Sequence, residues 1–347
     1  MAHQIEAMFF VGETPWHGLG QRVVDAPTTE EAIKQAGLNW RVIETPIYLG
    51  AEAPKDNAPA FDVDAHGAVG SGFIYGAIAQ RAGQLITSHK AIVRATDGQP
   101  LGIVGNRYQP LQNIEAFAWF DPLVSSGLVQ LETAGSLQQG KRIWILARIT
   151  GDDVTIVGDD VVRKFILLSN SHDGTLAVRV GFTPIRVVCA NTLAMSHADG
   201  QSQLIRLKHS RSLVANLDAL RDIVNIANQS FEATAEQFRR LAAKDISRAD
   251  LQKYVKTVLG HAETKDDELS TRATNQINDV ISLFERGRGS ELRGARGTVW
   301  GAYNAVTEYL SHVASANDGD KRYNSLWFGS GATRNQTALA EAIKLAA

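Results

Sequence analysis

The sequence predicts an α+β fold, with a curved antiparallel β-sheet packed with helices and followed by a helical C-terminal region. Strand-like alternation and hairpin signals fill the centre of the chain, and heptad spacing of apolar residues begins at Leu213. We predict three parts: an N-terminal helix/strand segment (1–70), a β-rich core domain (71–211) and a helical region (212–347).

The N-terminal segment begins with a predicted short helix. Thr28 and Glu31 have the spacing of a capping box, and the helix should end near Gly37, a natural residue after a helix C-terminus. Trp40–Leu49 alternates apolar and polar residues like a strand. Residues 50–70 lack periodicity, which predicts a loop or linker.

The centre is predicted to be β-rich. Asp97-Gly98 between His89–Thr96 and Pro100–Val104 is a hairpin signal, because both turn residues tolerate positive φ. Four more strands are predicted at Leu128–Leu137, Lys141–Thr150, Val161–Ser169 and Leu176–Phe182.

Two helices are predicted within this region. One starts at Asn113 and runs through Phe120, with Pro122 either in its last turns or ending it early. The other starts at Thr183-Pro184, which resembles an N-cap followed by proline at the first helical position. Cys189 would lie on the apolar face of this second helix, as a core residue.

A heptad-like seam opens the helical region, and either packs within its own chain, the favoured interpretation, or joins copies of the chain. Its residues are Leu213, Leu217, Leu220, Val224, Ala227, Phe231, Thr234, Phe238 and Leu241. Further helices are predicted at Ser247–Leu259, Thr264–Phe284 and Thr298–Ala314.

Composition indicates a soluble protein of the cytoplasm. No apolar run approaches the roughly 18 residues of a membrane helix, and the first residues lack the pattern of a signal peptide. A single cysteine allows no internal disulfide and no cysteine zinc site. The net charge of −2 argues against a dedicated duplex-binding protein. The stretch from Leu137 to Arg211, however, contains ten basic and six acidic residues, so it is locally basic.

No catalytic, metal or cofactor site is predicted. Gly135–Lys141 has the spacing of a phosphate-binding loop, but Arg142 replaces the Ser or Thr and a strand follows, so a hairpin turn is favoured. Asn170–Asp173 gathers the residue types of a hydrolase, yet the same residues are typical of a turn, which is the favoured interpretation.

The strand Lys141–Thr150 carries the main binding hypothesis. Arg142, Trp144 and Arg148 share one face, which suits a single strand of nucleic acid with stacked bases and cation-bound phosphates. Alternatively Trp144 faces the core, with the arginines at its rim, and this is the favoured interpretation for the tryptophan itself. The predicted nucleic-acid-binding residues are Lys90, Arg94, Arg107, Lys141, Arg142, Trp144, Arg148, Arg163, Lys164, Arg179 and Arg186.

Two other segments leave alternatives open. Trp16–Gly20 is either a binding loop or an aromatic residue tucked under a tight turn, the second being favoured. The Arg/Gly-rich link from Arg286 to Gly297 either contacts phosphates through mobile guanidinium groups or is a solvated linker.

Several stretches resemble phage/plasmid-like proteins of domain-of-unknown-function 932. They are Trp16–Gly20 with Glu30–Ala32 and Leu38–Trp40, Gly105–Asn113, Ser169–Gly174 with Val178–Leu193, and Gly297–Trp300 with Asn304–Tyr309. The resemblance implies a gene of mobile elements and supplies no catalytic residues. The element order is also similar to phage single-strand annealing proteins of the Red-beta, Erf and Sak kind, which hold single-stranded DNA in rings or filaments.

The predicted function is therefore non-catalytic binding, and possible annealing, of single-stranded DNA in phage or plasmid recombination or replication. The expected partners are single-stranded DNA and further copies of the chain in a ring or filament. The alternative is a phage or plasmid regulatory protein that recruits partners through its helical half.

Overall fold

The computed structural model describes residues 8–11, 21–25, 27–49, 84–186, 191–192, 205–218, 223–314 and 319–347. The predictions for Trp16–Gly20, the 50–70 loop, Cys189 and Leu220 lie outside these residues. Within them the fold is α+β, as predicted.

The strands form two sheets. They are β1 (Met8–Val11), β2 (Gln21–Val23), β3 (Val42–Tyr48), β4 (Leu85–Arg94), β5 (Pro100–Gly105), β6 (Val129–Leu137), β7 (Arg142–Ile149), β8 (Val154–Val157), β9 (Asp160–Ser171), β10 (Val178–Arg186), β11 (Asn191–Thr192) and β12 (Ile205–Leu207). Nine of these strands make the main sheet, in the order β11-β10-β9-β7-β6-β1-β2, with β12 on β10 and β8 on β9. Only β1 and β2 pair in parallel there, and β3-β4-β5 form a separate antiparallel sheet.

The helices lie mostly in the second half of the chain. They are α1 (Thr29–Gln35), α2 (Asn113–Ala118), α3 (Asp121–Ser125), α4 (Leu213–Asp218), α5 (Ile223–Ala242), α6 (Arg248–Leu259), α7 (Thr271–Arg286), α8 (Val299–Glu308), α9 (Gly319–Phe328) and α10 (Ser330–Ala346). A π-helical turn, Tyr309–Val313, continues α8. Pro122 lies in the first turn of α3, so the helix that starts at Asn113 ends before it.

Several local predictions are confirmed. Thr28 and Glu31 form the capping box of α1, and Gly37 follows that helix with φ 62°. The β4–β5 hairpin turns at Gly98 with φ 71°. Gln138 and Gln139 have φ 54° and 58° in a tight turn between β6 and β7, so the Gly135–Lys141 segment is a hairpin rather than a phosphate-binding loop.

The helix predicted from Thr183-Pro184 is wrong. Both residues belong to β10, where Thr183 pairs with Phe165 and Pro184 with Lys164 of β9. On its other side β10 pairs with β12 only at Val178–Val180 and with β11 only at Ile185 and Arg186. Pro184 thus lies on a stretch without a second described neighbour, where proline is tolerated in a strand.

Two large cores and one small core hold the molecule together. The first packs α1–α4 and the three-stranded sheet on one face of the main sheet, and the second packs α5–α10 with β8 and the start of β9. The third is a small cluster on the opposite sheet face, around Trp144.

The described seam residues pack within the chain. Leu213 and Leu217 belong to the first core, and Phe231, Phe238 and Leu241 to the second. Intrachain packing, the favoured interpretation of this seam, is what the structure shows for these side chains.

Candidate nucleic-acid interface

The candidate site lies on the face of the main sheet that carries Trp144. Alternation along β7 places Arg142, Trp144, Leu146 and Arg148 on this face. Trp144 is 2% exposed and packs with Leu146 and Phe165, so it is a core residue and offers no ring for base stacking. The two arginines lie at opposite ends of the buried cluster.

At the β8 end of this face the cations have acidic neighbours. Arg163 Nε lies 3.1 Å from Asp153 Oδ2. Burial raises the pKa of Glu132, and the positive charges of Arg148 and Arg163 act in the opposite direction. Positive charge is therefore largely compensated here.

At the other end, three arginines from β7, β10 and β12 gather without acidic partners. Arg179 and Arg206 are directly opposite each other in the antiparallel register. Burial, Arg206 and Arg142 together lower the pKa of Arg179. Within the described part of the chain, none of the three forms an ion pair.

Arg142 is the most firmly held of these arginines. Its guanidinium group donates to Asn324 Oδ1 on α9 and to Thr175 Oγ1, the latter at 3.0 Å, and it lies over the ring of Phe328. These partners are neutral, so they fix the side chain and leave its charge available to an anion.

The positive charge continues into an open cleft of about 650 Å³. The cleft lies between the first half of β4, the turn after β5, the β9–β10 turn and the residues after β12. Arg107 and Lys208 line it, and both are exposed. Together with Arg142, Arg179 and Arg206 they form what we call the basic strip.

One wall of the cleft is a stacked pair of rings, Tyr108 and His209, with centroids 4.3 Å apart and planes inclined by 24°. The Tyr108 hydroxyl donates to Ser171 O at 2.7 Å, and His209 Nδ1 lies 3.0 Å from Gln109 O. Burial raises the pKa of Tyr108 well above its usual value, and burial lowers the pKa of His209. Both rings are thus held in place as neutral groups near pH 7.

A buried polar network lies beneath this wall. Asn113 Nδ2 donates to Leu38 O and Trp40 O, at 3.0 and 3.4 Å. Its Oδ1 is therefore an acceptor, and His172 Nε2, 3.0 Å away, carries the proton. Asn170 Nδ2 donates to Leu111 O at 3.3 Å. Segments that are distant in sequence meet at this point.

The Asn170–Asp173 segment has the hydrogen bonds of a turn. Ser171 and His172 are fully buried, and Ser171 Oγ bonds the backbone of Leu176. Asp173 Oδ1 accepts from the backbone and hydroxyl of Thr175, at 2.9 and 2.6 Å. These side chains close the β9–β10 connection instead of facing the cleft.

His172 should make the stability of the protein depend on pH. Burial, aided by nearby His209, lowers the pKa of His172 to about 3. The unfolded chain, with a histidine pKa near 6.5, takes up this proton first, so stability is complete above about pH 6.5 and falls as the pH decreases toward 3. From pH 7.5 to 5 we expect this group to lower the free energy of unfolding by about 2 kcal/mol.

The measurement is urea unfolding at both pH values, in the wild type and in His172→Gln. Glutamine keeps an N–H donor for Asn113 but has no titrating ring. The wild type should lose about 2 kcal/mol more than the variant. Equal losses would show that His172 does not titrate as its burial implies.

Most of the other predicted binding residues have structural partners. Lys90 Nζ lies 2.6 Å from Glu44 Oε1. Arg94 is 6% exposed and donates to Gln139 O at 2.7 Å. Lys164 Nζ lies 5.9 Å from the ring centre of Phe231. Lys141 is half-buried at the start of β7.

Arg186 is the most deeply buried of the predicted residues. It is 1% exposed, and its Nε and Nη2 donate to the two carboxylate oxygens of Asp160 at 2.7 and 2.6 Å. Trp300 Nε1 donates to Asp160 Oδ2 at 2.8 Å. Arg186 therefore cannot reach a ligand on the surface of this fold.

The Arg/Gly-rich link is tied to the same buried pair. Arg186 donates to the carbonyls of Arg288 and Gly289, at 3.4 and 3.1 Å. The backbone N–H of Arg288 donates to both oxygens of Glu308, at 3.2 and 3.1 Å. The start of the link is thus packed backbone, although the Arg288 side chain is exposed.

Of the predicted residues, the structure places Arg107, Arg142 and Arg179 in the basic strip. The prediction missed Arg206 and Lys208. Their signal was the alternation Ile205-Arg206-Leu207-Lys208, a short strand with both cations on one face.

The described ranges contain neither a membrane-spanning helix nor a cluster of metal-ligating side chains. No helix there has the length and apolarity needed to cross a bilayer. No three His, Cys, Asp or Glu residues there are grouped as a metal site requires.

Comparison with known proteins gives one match. The family model described as Domain of unknown function (DUF932) matches residues 100–327, about two thirds of the chain. This range contains Gly105–Asn113 and Ser169–Gly174, which meet below the cleft. No curated protein and no solved structure matches. The chain belongs to the DUF932 family.

Proposed function

We propose that the protein binds single-stranded DNA along the basic strip without covalent chemistry. The observation that carries the proposal is the group of Arg142, Arg179 and Arg206 on one sheet face, with no acidic partner in the described residues. The proposal places the phosphates of the strand at these guanidinium groups.

The energetics of the arginine group favour an anionic ligand. Like charges directly opposite each other in an antiparallel pair destabilise a sheet, and Arg179 faces Arg206 in this way. A phosphate between them replaces repulsion by charge-assisted hydrogen bonds, which the planar guanidinium group forms well.

A single strand fits the strip better than a duplex does. The protein as a whole carries a net charge of −2, whereas duplex-binding domains usually present a broad basic surface. The strip leads into a cleft bordered by Tyr108 and His209. Cations along a path beside aromatic rings are typical of single-strand binding.

Binding should depend steeply on salt. For three to five neutralised phosphates, the slope of log K against log salt should be about −2 to −3.5 for a labelled oligo-dT strand. Removing two phosphate contacts with Arg179→Ala/Arg206→Ala should make the slope shallower by about 1.4. Fluorescence anisotropy at several salt concentrations measures both.

The matched control is Arg248→Ala/Lys253→Ala, which removes two exposed positive charges from α6, away from the strip. It should leave the slope and affinity close to those of the wild type. Absence of binding at low salt, or equal effects of the two double variants, would contradict the proposal.

The proposal also includes strand annealing, the assembly of several copies and the cellular process in which they act. We propose that copies of the chain assemble on the strand, as a ring or filament, and bring complementary strands together in the cytoplasm during phage or plasmid recombination. This part rests on the resemblance to annealing proteins. Mass measurement by light scattering, with and without single-stranded DNA, tests assembly; a monomer under both conditions would contradict it.

A further inference from the structure

The described residues that line the cleft carry positive charge and no carboxylate. Arg107 and Lys208 are both exposed and line the cleft, and neither forms an ion pair in the described part of the chain. None of the described lining residues is acidic. The remaining titratable side chains of the lining are His89, Tyr108 and His209.

The size of the cleft limits its occupant. Small-molecule sites typically enclose about 300–1,000 Å³, and the cleft volume of about 650 Å³ lies within that range. One nucleotide fits such a space. Gly105 contributes backbone without a side chain to the wall, and nothing lies within 4 Å of where its Cβ would be, so a ligand can approach the main chain there.

The stacked rings add a surface for a base. The Tyr108 hydroxyl bonds Ser171 O and the His209 Nδ1 bonds Gln109 O, so these polar groups are already occupied. The Tyr108–His209 wall therefore offers a ligand mainly ring surface. Base–aromatic contact of this kind is tolerant of base identity.

We propose that the cleft is a binding site for a nucleotide with a phosphate monoester, with Arg107 and Lys208 on the phosphate and the base beside Tyr108 and His209. A monoester carries close to two negative charges at pH 7, whereas an internal phosphodiester of a strand carries one. Two unpaired cations in one cleft match the monoester.

The ligand has two possible sources with this chemistry, a free nucleotide or the phosphorylated end of a strand. The strand-end source rests on the proposed function. Lys208 in the cleft is two residues after Arg206 of the arginine group, so the cleft adjoins that group. A strand bound along the strip would then place its end in the cleft.

Titration calorimetry with dAMP and with deoxyadenosine tests the site itself. The wild type should bind dAMP at least tenfold more tightly than deoxyadenosine. Arg107→Ala/Lys208→Ala should weaken dAMP binding at least tenfold, and Arg179→Ala/Arg206→Ala less than twofold. Arg107, Lys208 and Arg206 are exposed and Arg179 is half-buried, and none of the four has a carboxylate partner in the described residues. Circular dichroism would verify that the variants are folded. Equal binding of dAMP and deoxyadenosine, or equal loss in the two variants, would overturn the proposal.

Anisotropy with labelled strands that end in a 5′-phosphate, a 3′-phosphate or hydroxyls separates the two sources. A strand-end site predicts at least fivefold tighter binding of one phosphorylated strand, lost in Arg107→Ala/Lys208→Ala. dAMP binding without any effect of the terminal phosphate identifies free nucleotide as the source. If neither occurs, the inference is wrong; the proposed function still stands if the hydroxyl strand binds with a salt dependence that Arg179→Ala/Arg206→Ala reduces.

Discussion

Asp160→Asn is expected to lower the free energy of unfolding by about 3–5 kcal/mol, the typical result of breaking a buried ion pair from one side. Asp160 is fully buried, and its carboxylate accepts from Arg186 and from Trp300. The amide removes the negative charge that the Arg186 guanidinium contacts through two nitrogens in the core. Urea denaturation followed by circular dichroism measures the loss.

Asp153→Asn is the matched control. It makes the same chemical change in an Asp–Arg pair on the same hairpin, but the side chains of Asp153 and Arg163 are 34% and 37% exposed. Exposed pairs contribute about 0–1 kcal/mol, so this variant should remain close to the wild type. If both variants lose the same amount, the Asp160–Arg186 pair is not the buried anchor that its geometry indicates.

Trp144→Ala is expected to destabilise the protein by about 3–5 kcal/mol, the usual range for removing a large buried aromatic side chain. Trp144 is 2% exposed and fills the centre of the cluster with Met8, Leu146 and Phe165. Urea denaturation again provides the measurement. In the cold, where the variant is still folded, its affinity for single-stranded DNA should stay within about twofold of the wild type, a difference of about 0.4 kcal/mol.

Arg142→Ala is the comparison variant for Trp144→Ala. That variant should weaken strand binding and change stability much less, because Arg142 is only partly buried and lies at the edge of the cluster. If the folded Trp144→Ala protein lost strand binding as strongly as Arg142→Ala, Trp144 would have to contribute directly to binding.

Local structure was predictable wherever local chemistry determines it. The Thr28–Glu31 capping box, the turn at Gly98 and the alternation along β7 depend on neighbouring residues, and all three are present. The sequence also favoured a buried Trp144 with arginines at its rim, which is the observed arrangement.

The errors came from long-range pairing. Thr183-Pro184 has the local pattern of a helix start, but pairing with Phe165 and Lys164 extends β10 through it. Val154–Val157 forms a strand by pairing with the start of β9, and no strand was predicted there. Neither pairing is encoded in the local residue pattern.

The candidate site was predictable only in part for the same reason. Arg94 and Arg186 look like surface cations in the sequence, because their partners Gln139 and Asp160 are distant in the chain. The charge of Arg179 becomes distinctive only when the register places Arg206 opposite it. Composition located the basic region, and sheet register determined which of its cations lack a counter-charge.

Strand β10 has a consequence for how the chain can be divided. Its alternation directs Arg179 to the arginine group on one face and Arg186 to Asp160 on the other. The groups that complete the second contact, Trp300 and the carbonyls of Arg288 and Gly289, all come from beyond residue 212. A fragment ending at the predicted boundary would keep the cations of the strip, but it would lose the Asn324 and Phe328 contacts of Arg142 and expose the Asp160–Arg186 pair. The proposed binding face and the helical half therefore have to be expressed and engineered together.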